Sequence, residues 1–97
     1  MTFVEAIQMG EYQPQFLSQY PEWQTMSKHV QLEYISKAID IRKRQLVKKW
    51  GEIINMMDEN AIPEMKQKMV DQVFAQMKKL SEERERIYYE YLGEDNE

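Results

Sequence analysis

The sequence predicts an all-α fold, a long antiparallel αα-hairpin with a short N-terminal helix packed at its open end, and three observations predict it. Glycine and proline are scarce, three of each in 97 residues, which leaves few sites for the tight turns of a sheet. Two long segments, about 21–57 and 63–92, carry apolar residues at helical spacing with almost no breaker inside them. Between them stands DENAIPE, Asp58 to Glu64, a turn signal short enough to force the two helices antiparallel. A chain of this length has apolar surface for one core, so a single domain is expected: N-terminal helix and connector over 1–20, hairpin over 21–92, acidic tail over 93–97.

Each element has a local reason. Thr2 followed by FVEAIQM, with Gly10 as a stop, reads as a short helix whose Phe3, Ala6 and Ile7 share a face. Such a helix cannot stand alone. EYQPQFLSQY is a connector rich in glutamine and aromatics. Pro21 then opens a long helix, with Glu22 in the first turn where the helix dipole favours an anion. Only Gly51 interrupts that helix, at about 1 kcal/mol relative to alanine. Asn60 is a candidate cap for the last helix, Pro63 takes its first position, and Gly93 with the acidic tail is expected to end it.

The periodicity tells which faces meet. At about 100° per residue, Leu32, Ile35, Ile39, Leu46, Trp50, Ile53 and Met57 form a narrow stripe on one helix. Ile62, Met69, Val73, Met77, Leu80, Ile87 and Tyr91 form its counterpart, with Val70, Phe74 and Tyr88 on one flank. A reversal near residue 60 pairs stripe residues whose numbers sum to about 119, Ile39 with Leu80 and Leu32 with Ile87 among them. A hairpin of this kind buries one stripe per helix and is marginal by itself. A second apolar patch, Val30, Tyr34 and Ile41 with Met26 beside them, therefore needs a cover. The N-terminal segment with Phe3, Ile7, Phe16, Leu17, Tyr20 and Trp23 is one candidate, and a second copy of the chain completing the fold as a dimer is another. Trp23, Met26, Val30, Tyr34, Ile41 and Tyr89 are accordingly candidate interface residues.

Charge is distributed unevenly. The span from Arg42 to Lys79 holds nine basic against five acidic residues, net +4, and the remainder four against twelve, net −8. The chain is a charge dipole, basic toward the hairpin loop, that suits antiparallel or staggered self-association or an acidic partner at the loop end. Arg42, Arg44, Lys48, Lys49, Lys78 and Lys79 are the candidate partner-binding cations. They point in several directions round their helices, whereas a nucleic-acid backbone is met most simply by a row on one face. Arg42 and Arg84 fall on stripe positions where an apolar residue would fit. Each is expected to reach past the stripe's edge to an acid such as Glu83 or Asp40 or to lie at a less tightly packed level; the alternative is that they set register across an oligomer interface or meet a partner's carboxylate or phosphate.

Catalytic patterns are missing. The lone histidine, His29, shares a helix face with Glu33, which makes two candidate metal ligands and no third. There is no nucleophile elbow, phosphate loop, calcium loop or zinc pattern, and the absence of cysteine removes thiolate chemistry and disulfides. No catalytic residue, cofactor or metal is expected. Neither a membrane span nor a secretory leader is visible, so a complete, cytoplasmic chain is expected. The expected function is a small non-enzymatic interaction module, an adaptor, inhibitor or assembly factor of the bacterial or phage type docking on a larger protein. The alternative is a nucleic-acid-associated subunit using the basic half.

Overall fold

A computed structural model of the chain describes residues 1–56 and 62–95. It is all-α as expected: α1 (Phe3–Gln8), α2 (Pro14–Leu17), α3 (Pro21–Thr25), α4 (Lys28–Met56) and α5 (Pro63–Asp95), with no strand among the described residues. The two long helices pack on each other, and α1 packs on α4. The particle is elongated, 56 × 30 × 16 Å. Met57 and Asn60, assigned to the stripe and to a cap, lie outside the described residues.

The short helices are built from local chemistry. At α1, the Thr2 hydroxyl oxygen accepts from the Glu5 N–H at 3.2 Å and donates to the Glu5 carboxylate at 3.1 Å, which satisfies an N–H that the helix start leaves bare. Its C-terminus closes as the sequence indicates. Gly10 takes φ +85°, donating to Ile7 O while Glu11 donates to Ala6 O, a Schellman closure. Gly10 also lies against α4, where an added Cβ would stand 3.1 Å from Arg42 Cβ and 3.5 Å from Ala38 O. Gly10→Ala is therefore expected to cost about 1–2 kcal/mol through backbone strain, measurable by urea unfolding.

Three boundaries differ from expectation. The connector contains a turn of helix, α2, because Pro14 fixes a helical φ at its first position. The first long helix does not run from Pro21 but breaks at Met26 and restarts at Lys28. Met26 is extended, the Thr25 hydroxyl donates back to Glu22 O, and the Ser27 oxygen accepts from the Val30 N–H as a new cap. Gln31 spans the break by donating to Trp23 O at 2.8 Å. The last helix continues through Gly93 to Asp95, since an exposed glycine costs a helix only about 1 kcal/mol and does not stop it.

The core lies at the open end. Phe3, Ile7, Tyr12, Leu17 and Trp23 from the N-terminal segment meet Ile35, Ala38 and Ile39 of α4 and Leu80 and Ile87 of α5. Phe3 sits at its centre, its ring 5.9 Å from that of Tyr20, 6.1 Å from Trp23 and 5.1 Å from Tyr34, edge-on to the first and last. Phe16, expected in this cover, is exposed, and Leu17 beside it is buried. The hairpin register is close to the expected one: Arg84 meets Ser36 and Asp40, and Lys43 meets Ser81, pairs summing to 120 and 124.

Candidate docking surface

The N-terminal segment roofs only half of the hairpin. It ends against α4 at Arg42, whose guanidinium carbon lies 5.8 Å from the centre of the Tyr12 ring. The Tyr12 hydroxyl donates to the Glu83 carboxylate of α5, so one residue ties the segment to both arms. Beyond Tyr12 the roof stops. There the helices leave a groove of about 410 Å³, lined by Tyr12, Arg42, Gln45, Leu46, Lys49, Gln76, Lys79 and Leu80. Leu46 and Leu80 form its floor, and Arg42, Lys49 and Lys79 supply three positive charges with no carboxylate in the lining. None of the three pairs with an acid among the described residues.

The other candidate cations lie elsewhere. Arg44, Lys48 and Lys78 are exposed and outside this groove, so the basic run DIRKRQLVKKW does not act as one surface. Lys43 donates to the Ser81 hydroxyl across the hairpin at 2.6 Å. Arg84, the other cation on a stripe position, finds its acid: it donates to Asp40 at 3.1 Å and to the Ser36 oxygen at 3.4 Å. Both groups remain partly exposed, which keeps the contribution of the pair small.

Most candidate interface residues are occupied within the chain. Trp23 is buried, Tyr34 lies under Phe3, and Met26 and Ile41 pack half-buried against the core. Val30 is half-buried, and Tyr89 is freely exposed. Tyr12 was not legible as a site residue, because its partners, Arg42 and Glu83, are remote in sequence and no local pattern marks the contact.

His29 donates to Glu33 at 3.1 Å with both side chains largely exposed, and no third metal-binding group joins them among the described residues. What the groove can do chemically is bind: cations attract an anion, the leucine floor takes an apolar side chain, and the two glutamines offer hydrogen bonds. No described helix is long and apolar enough to cross a membrane. Compared with known proteins, the chain matches no family model, no curated protein and no solved structure.

Proposed function

We propose that the chain is a non-enzymatic interaction module whose groove between α4 and α5 receives an acidic, part-apolar segment of a larger protein. The observation that carries this reading is the convergence of Arg42, Lys49 and Lys79 on an apolar floor whose lining holds no acid, the Glu83 carboxylate next to Tyr12 being taken up by the Tyr12 hydroxyl. Charges at the rim steer an acidic segment to the groove, and burial of one of its side chains against Leu46 and Leu80 holds it there. Arg42 is already positioned by Tyr12, so less side-chain freedom is lost when the segment arrives.

The test compares the wild type with a Lys49→Glu/Lys79→Glu variant and a Lys37→Glu control, whose site is exposed and outside the groove. Proteins retained from native cell extract are identified by mass spectrometry, and their affinity is then measured at two salt concentrations. The expected result is a partner with an acidic binding segment, bound about tenfold or more weakly by the double variant and more weakly at high salt. Equal retention by all three proteins would remove the groove from the function. A mobility shift with DNA or RNA at low salt, lost in the double variant, would favour the nucleic-acid reading instead.

A further inference from the structure

Among the described residues, nothing covers the face of the hairpin turned away from the N-terminal segment. Toward the loop it shows Val47 at 48%, Trp50 at 36% and Phe74 at 61% exposure; toward the open end it shows Tyr89 at 76% and Leu92 at 52%. At that open end Ser36, Arg84, Glu85, Tyr88, Tyr89 and Leu92 line a shallow cavity of about 610 Å³. Between the two patches runs a polar strip, where Lys43 is bonded to Ser81 and Arg84 to Asp40. We infer that this face pairs with the same face of a second copy of the chain, antiparallel, about a twofold axis near Ser81.

Two features fit that occupant and that direction. The first is spacing. Along α5, Phe74 and Tyr88 stand seven residues before and after Ser81, roughly 10 Å each way at 1.5 Å per residue. A twofold axis at Ser81 therefore sets the patch of Val47 and Phe74 on the partner's tyrosine patch, and the reverse, as an isologous contact requires. The second is charge. The span from Arg42 to Lys79 is net +4 and the rest of the chain net −8. Antiparallel pairing lays the basic half on the acidic half twice, bringing Lys78 level with the residue beside the partner's Glu85. Parallel pairing would lay like on like. One surface thus holds both complementary halves, and an unrelated acidic protein would match only one of them. The product is a four-helix layer, α4 on α4 and α5 on α5, with the groove of Arg42, Lys49 and Lys79 facing outward on each side.

The full chain contains no cysteine, so single substitutions report proximity without background. With a short bis-maleimide, Ser81→Cys is expected to cross-link to itself. Phe74→Cys alone is expected not to, while a mixture of Phe74→Cys and Tyr88→Cys does. Sedimentation of the wild type should give twice the chain mass of 11.8 kDa, and Phe74→Glu should weaken the dimer at least a hundredfold while leaving helical content unchanged, since this side chain is exposed. A monomer at high micromolar concentration, or self-cross-linking of Phe74→Cys without that of the mixture, would overturn the proposal, and so would a Phe74→Glu protein that still dimerises as tightly. Lys49→Glu/Lys79→Glu is expected to remain dimeric, which separates this result from the outcome of the groove experiment.

Discussion

Replacing Phe3 with alanine is expected to lower stability by about 3–5 kcal/mol, the usual range for removing a buried phenyl ring. The ring is buried among Tyr20, Trp23 and Tyr34, so it joins α1 to both the aromatic connector and α4. A domain of this size has about 5–15 kcal/mol in total, so the loss is a large fraction of what holds the N-terminal segment down. Six residues of helix do not persist without their docking site. Phe3→Ala should therefore lower the urea midpoint and also expose Trp23, seen as a red shift of tryptophan emission before the hairpin itself unfolds. A loss below about 1 kcal/mol would mean that α1 is not anchored through Phe3.

The roofing of half the hairpin was legible in part. The two long helices, the stop at Gly10 and the register follow from spacing, because each depends on residues near one another in sequence or on a single reversal; the start at Lys28 and the run through Gly93 to Asp95 do not. The break at Ser27 was carried by a local signal, a serine three residues before Val30, but the unbroken apolar period from Val30 onward obscured it. Arg42 shows the other kind of limit. Its position on the stripe is visible in the sequence, yet the ring that accepts it belongs to Tyr12, across a chain reversal that no periodicity encodes. Periodicity is also silent on what is roofed. Ile39 and Trp50 share one stripe, but Ile39 is wholly buried beneath the N-terminal segment while Trp50, beyond its reach, is open.

That difference predicts unequal costs for one chemical change. Ile87→Ala is expected to lose about 2–5 kcal/mol, since Ile87 is wholly buried in the core cluster and its removal leaves a cavity that three packed elements cannot close. Ile53→Ala, on the same seam but half-buried, is expected to lose about 1 kcal/mol, because solvent already reaches the side chain and the two bare helices can relax toward each other. Urea unfolding of the two variants checks the ratio. Amide exchange tests it without mutation: in the monomer, at low concentration, protection along α4 should be highest near Ile35 to Ile39 and fall toward Gly51. A flat profile at higher concentration, or equal costs, would show that something else stabilises the far half of the hairpin. Pairing with a second copy is the arrangement that would do so, and in that case dilution to the monomer should restore the gradient. The half of the molecule with the least internal support is also the half that carries the groove of Arg42, Lys49 and Lys79, so whatever binds there adds stability where the chain by itself has little.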